Sequence, residues 1–208
     1  MNKRTVILSS LIILIPLLTG ALLWNRLPER IPTHFNFAGE PDGWSGRPFA
    51  VFGLPLYLLA VHLVCLLAVW MDPKRRNVSG KIFGLVLWVC PVVSLFVGTV
   101  TYASALGVPV DVTLLGMLLL GGTFVLLGNY LPKCRQNYTV GIKLPWTLAS
   151  EDNWNRTHRM AGPLWVAGGV VLLLNSFFRV YALTLGVLLV LILAPVGYSL
   201  YLWSRAKE

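Results

Sequence analysis

Six apolar runs, near residues 5–24, 49–71, 82–104, 112–131, 162–178 and 182–203, constrain this chain more than any other feature. Most of them reach the ~20 residues that a helix needs to cross the hydrocarbon of a bilayer. A soluble fold would have to cover all six with polar sequence. With 12% charged residues against 56% hydrophobic ones, too little is left to build that cover. Period-two alternation, the mark of a membrane barrel, is absent from runs such as LLGMLLLGGTFVLLG, so helices must satisfy the backbone. The expected fold is all-α: a polytopic membrane protein of six transmembrane helices, forming a single integral membrane domain over residues 1–208.

The net charge of +9 is explained by where the basic residues fall. With both termini in the cytoplasm, Lys3, Arg4, Lys74, Arg75, Arg76, Lys81, Lys133, Arg135, Lys143, Arg156, Arg159, Arg205 and Lys207 lie inside. Only Arg26, Arg30, Arg47 and Arg179 lie outside, as the positive-inside rule requires. Membrane topology therefore accounts for the charge, and no direct nucleic-acid partner is implied. The opening MNKRTVILSSLIILIPLLTGALLW starts like a secretory signal. Its apolar run is long for that role and no A-x-A site precedes Trp24, so a retained first span is expected. Trp24 and Tyr102 on the outer side, and Trp70, Tyr130 and Trp203 on the inner side, are expected as rings at headgroup depth. Cys65, Cys90 and Cys134 show no C-x-x-C spacing and read as packing residues, with neither a disulfide nor a thiolate metal site indicated.

The connections LGVPVD and Arg179–Tyr181 are short enough for tight outer hairpins, and DPKRRNVSGK for a short inner one. Two connections are longer than joining helices demands: an extracytoplasmic cap over residues 25–48 and a cytoplasmic motif loop over 132–161. Function is expected in these loops. NRLP follows the first span and NYLP the fourth, 104 residues later in a chain of 208. Three spans per half would give the halves opposite orientations, the layout of a 3+3 inverted repeat. The competing reading is two similar helix exits, since Pro is common after a helix end.

In the cap, Pro28, Pro32, Pro41 and Pro48 exclude a continuous helix while Gly39, Gly43 and Gly46 permit turns, so a compact, irregular segment is expected. His34, Glu40 and Asp42 carry donors suited to a metal or to acid–base work. The reading preferred is that Asp42 and Asn36 cap turns while His34, Phe35, Phe37 and Trp44 pack the cap against the membrane surface, with no metal.

In the inner loop, Pro132, Gly141 and Pro145 are breakers, and YTVGIK alternates as a short extended piece would. From Ser150 the signals become helical: Ser150 as N-cap, Glu151 and Asp152 in the first turn, and Arg156, His158 and Arg159 towards the end. Asp152 and Arg156 are spaced for an i, i+4 pair. Trp154 shares a face with Thr157, His158 and Ala161, so this helix is expected to lie along the inner membrane surface until Gly162 and Pro163 break it and start the fifth span. Asn129, Asn137, Asn153 and Asn155 point to a built surface, whereas Trp146 and Trp154 also fit a simple interfacial anchor. Both readings stand at this level. Within the spans, His62 and Asn175 are the notable polar residues, and His62 is expected to be hydrogen-bonded between helices.

The run GNYLPKCRQNYTVGIKLPWTLASEDNWNRTHRMAG, residues 128–162, closely resembles the motif of the SdpI family of bacterial membrane proteins. The outer LPERIPTHFNFAGEPDGW resembles a domain of unknown function common at the start of family members. The resemblance implies a multipass protein of the bacterial cell membrane that protects against a secreted antimicrobial peptide. It further implies capture of a winged-helix repressor at the inner face when the toxin is present. Residues matching the inner motif are Asn129, Pro132, Asn137, Gly141, Pro145, Trp146, Thr147, Trp154, Thr157, His158 and Gly162, and the cap contributes Pro32, His34, Gly39, Asp42 and Trp44.

On this reading the protein is a non-enzymatic immunity or signalling protein without a cofactor. A small transporter or flippase is the alternative, motivated by the repeat and by Pro16, Pro55, Pro91 and Pro195 within spans. A membrane hydrolase ranks third, because H-E-x-x-H, G-x-S-x-G and an intramembrane carboxylate pair are all absent.

Overall fold

The computed structural model describes residues 3–206, so Lys207, placed inside by the charge count, lies outside the described residues. The described residues are mostly helical, and among them six helical segments are long and apolar enough to cross a membrane. They are Lys3–Leu22, Phe49–Met71, Gly80–Ala105, Val112–Lys133, Glu151–Phe178 and Tyr181–Arg205. The helices are α1 (Lys3–Ile13), α2 (Ile15–Leu22), α3 (Leu54–Met71), α4 (Gly80–Ala105), α5 (Val112–Tyr130), α6 (Pro145–Ala149), α7 (Glu151–Phe178) and α8 (Tyr181–Arg205). The chain divides into two compact units, residues 1–68 with 84–113 and residues 69–83 with 114–208.

In the first unit the first span is broken at Leu14, where Pro16, lacking an N–H, enters α2. Polar side chains tie the carbonyls near this break to α4: the Ser94 hydroxyl donates to Ile13 O at 2.8 Å and the Tyr102 hydroxyl to Pro16 O at 2.9 Å. Tyr102 is thus a buried packing residue. Helix α2 and α4 approach closely because a Cβ on Gly98 would lie 2.5 Å from Pro16 Cβ. His62 on α3 and Ser9 on α1 share a buried hydrogen bond of 3.1 Å, the interhelical contact expected for His62.

The cap is not irregular, and the fold is not purely helical. Residues Arg30–Phe35 (β1) and Pro41–Gly46 (β2) form an antiparallel hairpin with a register shift around His34. The prolines that exclude a helix are tolerated because a two-stranded ribbon has only edges, where a missing donor costs little. Its turn is organised by Asn36, whose Oδ1 accepts from Ala38 N (2.9 Å) and Glu40 N (3.0 Å), and by Gly39 at φ 81°. The hairpin base is held by Arg47. Its guanidinium donates to Trp24 O (2.8 Å) and Leu27 O (3.0 Å), just beyond the C-terminus of α2, and lies 4.7 Å over the Trp24 ring. Cations belong at such carbonyl-rich helix ends.

The second unit is built on close helix pairs. A Cβ on Gly128 of α5 would meet Val166 N of α7 at 2.7 Å, and one on Gly169 would meet Gly121 O at 2.7 Å. Small residues at such crossings allow backbone-to-backbone approach inside a membrane. Asn175 makes the tight α7–α8 turn: its amide donates to Val180 O and Thr184 Oγ1, each at 2.9 Å, while Arg179 takes the left-handed conformation at φ 56°.

Two expectations for the inner loop are corrected. Helix α7 does not break at Gly162 and Pro163 but runs unbroken from Glu151 to Phe178. Pro163 lies inside it, where a membrane helix tolerates a lost bond. YTVGIK forms bends, not a strand, because its polar groups are bonded to side chains instead of to a neighbouring strand.

Candidate functional site

The connection between α5 and α7 is long, polar and ordered by its own side chains. Asn137, fully buried, folds the first half: its Oδ1 accepts from Thr139 N (2.9 Å) and Val140 N (2.7 Å), and its amide donates to Arg135 O (2.8 Å) and Val140 O (3.0 Å). Thr147 folds the second half. Its hydroxyl accepts from Leu144 N (2.9 Å) and donates to Ile142 O (2.8 Å), which fixes the start of α6 behind Pro145. Ser150 then caps α7 through Asn153 N, as its residue type predicts, and the Asp152–Arg156 pair forms at 3.5 Å.

Against this loop α7 presents Trp154 and His158. Trp154 is 0% exposed, donates through Nε1 to Cys134 O at 2.7 Å, and packs with Ile82 and Cys134. The His158 ring stacks on it at a centroid distance of 4.1 Å. Nδ1 of His158 donates to Trp154 O (2.8 Å), and its Nε2 accepts from Ile142 N (2.9 Å), so the two partners select the tautomer with the proton on Nδ1. Gly141 is required here twice over: its φ of 127° is a glycine conformation, and a Cβ would lie 2.6 Å from His158 Nε2. Burial pushes the Cys134 thiol pKa up, an effect partly offset by the hydrogen bond from Asn137.

The reading of Trp154 as a membrane anchor is therefore corrected: it is the centre of a protein core. Trp146 is half-buried and donates through Nε1 to Ser199 Oγ on α8 at 2.9 Å. Thr157 and Asn153 continue the contact, Thr157 donating to Asn153 Oδ1 (3.1 Å) and Asn153 to Ser199 O (2.9 Å). Pro132 meets Gly162, where a Cβ would lie 2.4 Å from the proline ring. The structure thus brings together Pro132, Asn137, Gly141, Thr147, Trp154, Thr157, His158 and Gly162. Asn129 and Pro145 stand exposed at its edge.

Three participants escape a sequence reading. Asp72, 5% exposed, accepts from Lys74 N (2.7 Å), Tyr138 N (2.9 Å) and Thr139 Oγ1 (2.6 Å), joining the 72–79 connection to the motif loop. Gln136 donates to Thr147 O (2.9 Å) and Leu148 O (3.0 Å) and accepts from the Lys74 ammonium. Ser199 receives α6 and α7. The one available signal was Asp72, the lone acid in a basic connection. What remains outward is a polar, mixed-charge surface: Tyr138, Lys143, Glu151, Asp152, Asn155, Arg156 and Arg159.

In the hairpin, His34 Nδ1 and Asp42 Oδ1 lie 2.5 Å apart with side chains 75% and 43% exposed. Pro32 pairs with Trp44, whose side is half open, and Phe37 is 70% exposed at the turn. Among the described residues no group of three His, Cys, Asp or Glu side chains is placed to hold a metal ion.

Together these features define a multipass membrane protein with a hairpin motif between its first two spans and an ordered inter-span platform. Residues 133–199 match the model of the SdpI/YfhL protein family, and residues 11–59 match a domain of unknown function (DUF1648). Both matches overlap the two runs that carry the resemblance to the SdpI family. The chain is 24% identical over 206 residues to the immunity protein SdpI of Bacillus subtilis (strain 168), covering 97% of this chain and 96% of that one. No solved structure matches.

Proposed function

We propose that the protein is a non-enzymatic immunity protein of the bacterial cell membrane, protecting its cell from a secreted antimicrobial peptide. The observation that carries this reading is similarity along nearly the whole chain to a protein named for immunity. Both termini lie in the cytoplasm, the hairpin faces out towards the toxin, and the platform faces in, where it docks a winged-helix repressor. The geometry supports a docking role because the motif side chains are used up in building a rigid loop, which leaves an ordered polar surface to be read by a partner. Toxin binding outside would alter that surface by favouring one of two states of the molecule.

The halves form a 3+3 inverted repeat on this reading. In support, each compact unit holds three spans. The repeated motif also has one burial pattern: Asn25 and Asn129 exposed, Leu27 and Leu131 buried, Pro28 and Pro132 exposed. An experimental structure whose halves fail to superpose would end this part.

Survival of a sensitive bacterium under a secreted peptide toxin tests the main reading. Expression at verified membrane levels is expected to raise survival, and equal killing with and without the protein overturns it. Asn155→Ala with Arg159→Ala, both on the open face of α7, is expected to abolish repressor capture while leaving folding intact. Trp154→Ala with His158→Ala is expected to lower folded yield as well, because those side chains are core.

A further inference from the structure

An open cleft of ≈ 320 Å³ in the second unit is lined by four cationic side chains: Arg76 before α4, Lys81 in its first turn, and Lys133 and Arg135 after α5. No carboxylate lines it. Asp72, the acid of the same connection, is buried and bonded to Lys74, Tyr138 and Thr139. The ion pairs His34–Asp42 and Arg156–Asp152 involve none of the four. The positive-inside rule asks only that such residues lie on one side of the membrane. It does not ask that they converge on one concavity, where like charges repel.

The depth of the cleft indicates what relieves that repulsion. Lys133 ends one apolar segment and Lys81 is the second residue of another, so the cleft stands where hydrocarbon gives way to headgroups, whichever face is cytoplasmic. Tyr130, with the Lys133 ammonium 5.3 Å over its ring, is the amphipathic side chain suited to this level. Guanidinium groups match phosphate oxygens with paired N–H donors, and lysines add point charge. The volume is at the lower end of the roughly 300–1,000 Å³ typical of small-ligand sites, suited to a headgroup and too small for a protein domain. Basic pockets at the ends of transmembrane helices hold anionic lipids in this manner.

We propose that this cleft binds the phosphate of an anionic phospholipid headgroup. A second cleft of ≈ 340 Å³ in the same unit supplies a control, because there Arg156 and Arg205 share the lining with Asp152.

The test uses the full chain in micelles doped with phosphatidylglycerol or phosphatidylcholine, with retained lipid read by native mass spectrometry and stability by thermal unfolding. The protein is expected to retain phosphatidylglycerol with about tenfold or greater preference and to melt higher in its presence. Arg76→Gln, Lys133→Gln and Arg135→Gln together should remove the preference, whereas Arg156→Gln with Arg205→Gln should keep it. Should the triple variant not be recovered folded, Arg76→Lys with Arg135→Lys keeps the charge and is expected to weaken retention by losing the paired donors. Absence of preference in the unaltered protein overturns the proposal, as does equal loss in the control variant, which would mark diffuse surface charge. Inorganic phosphate or glycerol phosphate stabilising the protein as strongly as the lipid would also overturn it, by making the ligand a soluble anion.

Discussion

Gly141 shows at the scale of one residue how tightly the platform is specified. Replacing it with Ala introduces both a strained backbone and a contact 2.6 Å from His158 Nε2, and is expected to destabilise the protein by about 1–3 kcal/mol in detergent unfolding. Gly84→Ala, at a helical position with open space around the new methyl, is expected to be neutral or stabilising by up to ~1 kcal/mol. Cys134 gives a pH-dependent check. Its folded pKa is raised by burial, so the thiol favours folding while it stays neutral. That contribution is complete below the unfolded thiol pKa of ~8.5 and is lost as pH rises towards the higher folded value. Stability should therefore fall from neutral to alkaline pH more steeply in the native protein than in Cys134→Ala, as read by paired unfolding curves. The N-cap at Ser150 and the Asp152–Arg156 pair were legible in the sequence because both are local. The burial of Trp154 was not: a helix with one aromatic face reads the same whether that face meets lipid or a folded loop.

Among the elements, the α5–α7 pair carries the platform. A Cβ on Gly128 would press on Val166 N and Gly162 O, which are backbone atoms with no rotamer to yield. Gly128→Ala is expected to force the helices apart, costing about 1–3 kcal/mol and loosening the loop that Pro132 and Gly162 anchor, which amide exchange across residues 132–147 would report. The continuity of α7 through Gly162 and Pro163 follows from the same packing. These residues look like a stop signal in isolation, yet glycine is needed there for the Pro132 contact and the surrounding helices hold the segment helical. The hairpin was likewise hidden, because Pro32 and Pro41 argue against a strand wherever both edges must be paired, and here each strand has one free edge.

For the whole molecule, topology is the first thing to fix. In a background with Cys65, Cys90 and Cys134 replaced by Ala, a cysteine at Ala38 in the hairpin turn should react with a membrane-impermeant maleimide applied to intact cells. One at Asn155 should react only after permeabilisation, and the reverse pattern would invert the proposed orientation.

By itself the sequence determined the solvent, the six spans and the resemblance to the SdpI family, because span length, apolar composition and a long motif are properties of the chain read in order. Only the tertiary structure decided what the motif does. Asn137 and Thr147 fold the loop through near neighbours, but Trp154 and His158 find Cys134 and Ile142 across distances in sequence that no periodicity encodes, and together those bonds turn a list of polar residues into a closed loop whose outer surface is left for others to bind. The same holds for the basic cleft. Its charges are visible in the sequence as scattered lysines and arginines, but their convergence around one concavity exists only once α4 and α5 have brought their ends together.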